Sequence, residues 1–438
     1  MMKSRFLSCI ACALFVACCA TVSWAQNNSP KVEDFEISKS GPKALEINYS
    51  VMDDEESKVS VGVQVFDEQR QRVGVVSITG HVGASVSCGD NKSIKVVFEK
   101  DLTSYEKLEV KLTADDGYQV AVQDLVNQVS LDNLKANLEF VEGRRFPITL
   151  EDAKHHKEVR QYIKDKFTTE KGTYLYTQDT ALESFKVQNI IAEVGGTSNQ
   201  SKTYILSAHY DAWFKSPGAD DNASGVAGLL EASRILSQYN FDHTIRFVAF
   251  DMEEHDLLGS RVYVQGQKLT KKEVEGVINF DMIGVFSDKP KSQKVPDVFK
   301  EIFPEQAAQV AANDYRGNFA ILNHNEASQG LVTAIRSSAS EHVPGFEIIP
   351  LNAMYNGEYL PDLAASDHFS FWQAGISAVH MGDGGDTRNK FINTKKDKLK
   401  LINYPYMVKV VGSTVAALAK LGGINHAVSY TKSYNPSL

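Results

Sequence analysis

Between residues 209 and 281, acids and one histidine gather in four short clusters, each following an apolar run or lying on a glycine-flanked loop. His209-Tyr-Asp211 follows Thr203-Tyr-Ile-Leu-Ser-Ala208. Residues two apart in an extended backbone share a face, so Asp211 is placed to hold the second ring nitrogen of a histidine whose first nitrogen ligates a metal. On its own, His-x-Asp is a common chance pair. Pro217-Gly-Ala-Asp-Asp-Asn-Ala-Ser-Gly225 adds two adjacent acids, which repel each other unless a cation lies nearby. A helix N-cap there explains one polar residue and not three. Glu253-Glu254 come after Thr244-Ile-Arg-Phe-Val-Ala-Phe250; a solvated turn would also explain adjacent glutamates, but at this address one as metal ligand and its neighbour as base is the better reading. Asp281 directly follows Asn279-Phe280.

The elements that must position these residues alternate between strand and helix from about residue 143 to 422. This predicts an α/β domain with a mixed, mostly parallel sheet flanked by helices. The runs 203–208, 244–250, 276–280 and 375–379 are short and continuously apolar, as strands buried on both faces are. The acids and the histidine then fall at the C-terminal ends of strands, where open α/β sheets bind ligands. Val226, Leu229, Leu230, Ile235 and Leu236 form one apolar stripe on a helix from Ala223 to Tyr239. Lys157 to Phe167 reads as an amphipathic helix, and Pro405 to Leu421 as a closing helix stopped by Gly422-Gly423. Residues 27–125 read instead as a small all-β, immunoglobulin-like sandwich, with strands at 45–49, 59–65, 94–98 and 108–112 and loops at 80–83 and 88–92. A polar linker is expected at 126–142 and a C-terminal tail at 423–438.

The ordered set of clusters resembles the co-catalytic zinc aminopeptidases, the family related to glutamate carboxypeptidases, glutaminyl cyclases and the transferrin-receptor ectodomain. By that resemblance His209 and Asp281 hold one zinc ion, Asp221 bridges to a second, Glu254 holds the second, Glu253 is the general base and Asp211 orients His209. The family's last ligand is a histidine in a late His-Thr-x-x-Asp motif. Here Phe391-Ile-Asn-Thr-Lys-Lys-Asp397 places Asn393 there, and a neutral amide oxygen binds zinc more poorly than imidazole. One tight zinc and a second, weaker ion are therefore expected. His368, His380, Asp383 and Asp386 are nearby donors that could substitute. The resemblance implies an exopeptidase of the aminopeptidase type acting on peptides. The alternatives are a single-zinc glutaminyl cyclase-like enzyme and a catalytically impaired binding module.

Lys3 and Arg5 precede an apolar run from Phe6 to about Thr21, and Ser23-Trp24-Ala25 suits cleavage, so residues 1–25 read as a signal peptide of a secreted or periplasmic protein. Acylation of Cys18 as a lipoprotein is the minor alternative. Four of the five cysteines lie in this leader, leaving Cys88 alone and no internal disulfide. Loss of the leader removes two positive charges and no acid, taking the formal net charge from −9 to −11. Such a chain, with no basic block, offers no footing for nucleic acid, and no later stretch could span a membrane. There is no Gly-x-Ser-x-Gly elbow and no phosphate-binding Gly-x-x-x-x-Gly-Lys.

Overall fold

The structure is a computed structural model and describes residues 29–68, 73–169, 173–182, 185–197 and 199–436; the expected leader lies outside these. Its largest element is an eight-stranded sheet in the order 348–352, 320–324, 378–382, 274–280, 199–209, 243–250, 185–194, 173–182. The four central strands, from 378–382 to 243–250, run parallel, and antiparallel strands border them on each side. Ile205, Leu206, Phe247, Val248, Val277 and Ile278 are fully or almost fully buried, so these strands are covered on both faces, which is why their sequences are continuously apolar.

Helices Gly225–Leu236 and Tyr404–Gly422 pack against each other and against the sheet. The latter is capped by the Asn403 side chain, which accepts from Tyr406 N, and it stops at Gly423 with φ 66°. Register places His209 beside Phe250, and Ser207 beside Asn279. The C-terminal ends of three adjacent parallel strands therefore deliver His209, the Glu253-Glu254 turn and Asp281 to one place.

Several boundaries differ from the sequence reading. The strand expected at 375–379 is Ala378–Gly382, because Gly375 turns the chain at φ 70° before the sheet is joined. The expected loop at 88–92 is mostly strand, within Gly89–Phe98. The expected linker is helical: Val122–Asn127 and Leu131–Val141 bury Leu125, Leu134, Leu138 and Val141 in the main core. Most of its polar residues face outward, while Asn137 is buried and accepts from Tyr162 OH, and burial of the apolar face fixes the segment in place.

The N-terminal strands, with Val428–Tyr434 from the other end of the chain, form two four-stranded antiparallel sheets, 31–41, 44–52, 89–98, 75–80 and 428–434, 108–115, 58–66, 83–87, around one shared core. The expected tail is thus the outer strand Val428–Tyr434, paired with Leu108–Asp115. The chain leaves the β-sandwich, builds the α/β unit and returns to close the sandwich's second sheet. Lys111, on that partner strand, is 3% exposed and donates to Gly196 O of the α/β unit. Burial pulls its ammonium down to about 8.

Deleting residues 424–438 should therefore open the edge of strand 108–115 and uncover the half-buried Val428, Tyr430 and Tyr434 contacts. The expected loss is roughly 3 kcal/mol at ~25 cal/mol per Å² of apolar surface. A denaturant titration checks this, and an unchanged midpoint would show that the strand adds nothing. Among the described residues no helix is long and apolar enough to cross a membrane.

Candidate metal centre

His209 ends its strand fully buried, with Nδ1 3.2 Å from Asp211 Oδ1. Its other nitrogen, Nε2, lies 3.4 Å from Asp221 Oδ1, 3.5 Å from Asp281 Oδ1 and 3.8 Å from Glu253 Oε2. Asp211 does more than face the histidine: its two oxygens also accept from the backbone N–H groups of Glu253 (3.1 Å) and Glu254 (3.2 Å). One buried carboxylate thus sets both the imidazole and the turn that carries the glutamates.

Asp221 is positioned by a residue the sequence reading did not single out. Asp397 accepts from Asp220 N (3.1 and 3.2 Å) and Asp221 N (3.1 Å), pinning the loop against the segment 389–397. Asn389 adds a bond to Asp220 Oδ2 at 2.8 Å. Asp281 Oδ2 accepts from Ser366 Oγ (2.7 Å), which accepts from Asn279 Nδ2 (2.8 Å), and Asn279 Oδ1 accepts from Ser207 Oγ (2.8 Å). This chain of side chains fixes the Asp281 carboxylate from inside the sheet and leaves Oδ1 for something else.

The residues present fit a zinc ion. Donor atoms of His209, Asp221 and Asp281 lie within 4.8 Å of one another, and all three residues are buried. His209 Nε2, Asp281 Oδ1 and Glu254 Oε1 are buried without a hydrogen-bond partner, a costly arrangement unless a cation takes the lone pairs. One imidazole nitrogen with carboxylate oxygens is a common zinc donor set.

The electrostatics agree. Burial, then the charges of Asp281, Glu254 and Asp367, push the Glu253 carboxyl well above the usual range against the pull of His209. Burial and Asp221 do the same to Glu254. Burial opposes charge on His209, yet Glu253, Asp281, Asp211 and Asp221 outweigh it and hold its imidazole well above the ordinary value. A pocket with this much convergent negative charge favours a cation.

The substitute ligands considered from sequence lie outside the group of His209, Asp221 and Asp281, although His368 Nδ1 is buried without a hydrogen-bond partner. His380 Nε2 donates to Asp281 O (3.0 Å) while Nδ1 accepts from Asn323 Nδ2 (2.9 Å). His368 Nε2 donates to Leu363 O (2.9 Å), its ring is packed edge-on to Trp372, and burial brings it down to about 3. Asp383 accepts from Val285 N (2.6 Å) and Gly385 N (3.1 Å), and Asp386 is exposed. Asn393 is exposed at φ 58° on the loop that Asp397 anchors.

Sequence reasoning also passed over Arg145, which is fully buried behind the centre. Its guanidinium donates to four carbonyls: Tyr210 (2.9 Å), Gly143 (3.1 Å), Pro217 (2.7 Å) and Gly218 (2.9 Å). It ties the loop after His209 to the loop bearing Asp221. Gly218, at φ 56°, leaves no room for a side chain: a Cβ would come within 2.2 Å of Asp221 O and 2.8 Å of the Ala212 Cβ.

Because Lys cannot reproduce the planar fork, Arg145→Lys should strand buried carbonyls at about 1–3 kcal/mol each. Thermal melting and metal affinity should both fall, more for Arg145→Met than for Lys. A melting midpoint and zinc affinity equal to wild type in both variants would refute the clamp.

The profile of peptidase family M28 matches residues 189–419. The uncharacterized protein YfbL of Escherichia coli K12 is 27% identical over 312 residues, 68% of this chain and 90% of YfbL. A probable zinc metalloprotease of Pyrenophora tritici-repentis is 26% identical over 255 residues, and the alignment takes 54% of this chain and only 51% of that one. The chain thus spans about half the length of its metalloprotease relatives. Among solved structures, the LapA aminopeptidase of Legionella pneumophila superposes with TM-score 0.54 at 18% identity, over 70% of this chain and 77% of LapA. Glutaminyl cyclase of Porphyromonas gingivalis gives 0.51 at 19% identity, over 67% and 99%. At these identities the superpositions show the fold. The profile covers more than half of the sequence and takes in every residue from His209 to Asn393 that the centre draws on: the chain belongs to peptidase family M28.

Proposed function

We propose that this chain is an exported, zinc-dependent exopeptidase that removes residues from the amino end of peptides. His209, Asp221 and Asp281 would hold the tight ion, with Glu254 and Asn393 contributing to a second, weaker one. The observation that carries the reading is the convergence of three buried donors on one point, with Glu253 Oε2 3.8 Å from His209 Nε2. When bound, the ion lowers the pKa of a water and polarises the scissile carbonyl.

The chain's own residues supply the rest. Glu253 takes the proton from the attacking water at its carboxylate and passes it to the departing amine. Asp211 keeps the His209 Nδ1 proton directed away from the ligating nitrogen and holds the 253–254 turn in register. Ser366 keeps Asp281 from rotating.

The test is a panel of aminoacyl reporters and amino-terminal glutaminyl peptides, assayed with metal-loaded protein of known zinc content. Release of the reporter supports the proposal. Cyclisation of the glutaminyl peptides without reporter release would establish the cyclase reading, and neither reaction with zinc bound would establish the binding module. Export predicts that the mature chain begins at Gln26 or Asn27, and a lipid on Cys18 found by mass spectrometry would overturn that part.

A further inference from the structure

Contrary to the expectation of a chain without a basic block, the segment 388–400 carries Arg388, Lys390, Lys395, Lys396, Lys398 and Lys400 against a single acid, Asp397, in a chain whose formal net charge is −9. Asp397 is buried and turned inward, where it accepts from the backbone of Asp220 and Asp221. All five lysines are exposed. The segment is held against the metal loop, since Ser216 Oγ donates to Thr394 O (3.1 Å), Ala219 N to Asp397 O (3.3 Å) and Asn389 Nδ2 to Asp220 Oδ2 (2.8 Å). The lysines therefore stand on a segment joined directly to the loop that bears Asp221.

Their stems are supported. Lys390 and Lys396 place Nζ 5.2 Å and 5.6 Å from the centroid of the same Phe391 ring. Across the Ser216–Thr394 seam, exposed Lys215 lies 4.5 Å from the Phe214 ring, beside exposed Trp213. Among the described residues no carboxylate forms an ion pair with Lys215, Lys390, Lys395 or Lys396. Asp386 is the exposed acid on the adjoining turn, and Glu142 lies electrostatically close to Lys398. Neither neutralises the Phe391 pair.

Exposed ammonium groups with no internal partner, kept in place over aromatic rings, raise the local concentration of anions around a pocket. Screening limits this reach to about 8–10 Å at ordinary salt, a few residues of extended peptide. In an exopeptidase that works from the amino end, the residues beyond the scissile bond must leave the centre over one side of its mouth. We propose that the basic rim formed by Lys390, Lys396 and Lys215 selects peptides bearing carboxylates just beyond the scissile bond. This rests on the exopeptidase reading for its direction along the chain. The carboxylate has two sources, an acidic side chain or the free terminus of a short peptide.

The test measures binding in zinc-loaded, full-length mature protein carrying Glu253→Gln, so it does not depend on turnover. Three peptides compete with a fluorescent acidic peptide: Leu-Glu-Glu amide, Leu-Gln-Gln amide and Leu-Gln-Gln free acid. The rim predicts that at least one carboxylate peptide binds about 5-fold or more tighter than the neutral amide at low salt, with the gap closing toward 2-fold near ~0.5 M salt. Gain by the Glu amide assigns the side chain as the source, and gain by the free acid alone assigns the terminus.

Lys390→Gln with Lys396→Gln should erase the gap, and the paired Lys→Arg variant should keep it. Equal binding of all three peptides, a gap that survives the Gln pair, or no binding at all would overturn the proposal. Turnover of a leucyl reporter by the wild type is scored separately, so failure of the enzyme reading is told apart from failure of the rim.

Discussion

Glu253→Gln should lower turnover of an aminoacyl reporter by about 100- to 10,000-fold, the range a general base contributes, while bound zinc stays close to wild type. The argument is positional. Glu253 lies outside the three-donor cluster of His209, Asp221 and Asp281, yet its Oε2 approaches His209 Nε2 to 3.8 Å. Its backbone is fixed by Asp211 Oδ1, so the side chain has a defined origin. Burial and the acids around it push its carboxyl well above the usual range, in the direction that makes a carboxylate a better proton acceptor near neutral pH. Glutamine has the same shape and cannot take the proton. Elemental analysis of the variant beside its kcat separates a lost base from a lost ion, and near wild-type turnover would sink the assignment.

The second large effect concerns the ion. His209→Ala removes the one imidazole from a set otherwise made of carboxylates, and turnover should fall by about 1,000-fold or more, with tight zinc binding lost. Removing zinc from the wild type with a chelator should reproduce the loss, and adding zinc back should restore the wild type but not the variant. Stability gives an independent reading, since an ion present at a thousand times its dissociation constant adds about 4 kcal/mol to the folded state. The melting midpoint of the wild type should rise with added zinc, and that of His209→Ala should not. A variant that still shifts with zinc would place the tight site elsewhere.

The grouping of these residues in space was legible because they follow strand ends, and strand ends announce themselves by where an apolar run stops. His209, Glu253-Glu254 and Asp281 all fall there, and the registers of 199–209 with 243–250 and 274–280 bring them together. The supports were not readable in the same way. Arg145 lies 64 residues before His209 in sequence and acts through backbone carbonyls, which carry no side-chain signature. Asp397 ends the same motif as Asn393, four residues later, but it acts on the backbone N–H of Asp221, 176 residues away, a partner that no spacing reveals. Ser366 stands two residues before His368, a donor the sequence offers, and it is the serine that touches Asp281.

In the fold, Val428-Ser-Tyr-Thr-Lys-Ser-Tyr434 alternates as an edge strand should, but its partner at 108–115 lies more than 300 residues away. Pattern alone fixes a strand and never its neighbour. The helices at 122–127 and 131–141 were hidden by their polar outer faces, though Ser130 and the Leu134, Leu138, Val141 spacing carried the signal.

Calorimetric titration of zinc into the metal-free protein, run in parallel for wild type, His209→Ala and Asn393→His, tests the metal centre most directly. The account predicts one tight zinc per chain in the wild type, absent from His209→Ala, together with a second, weaker event that Asn393→His strengthens by restoring a nitrogen donor. No tight zinc in the wild type, or the same tight zinc in His209→Ala, would contradict it.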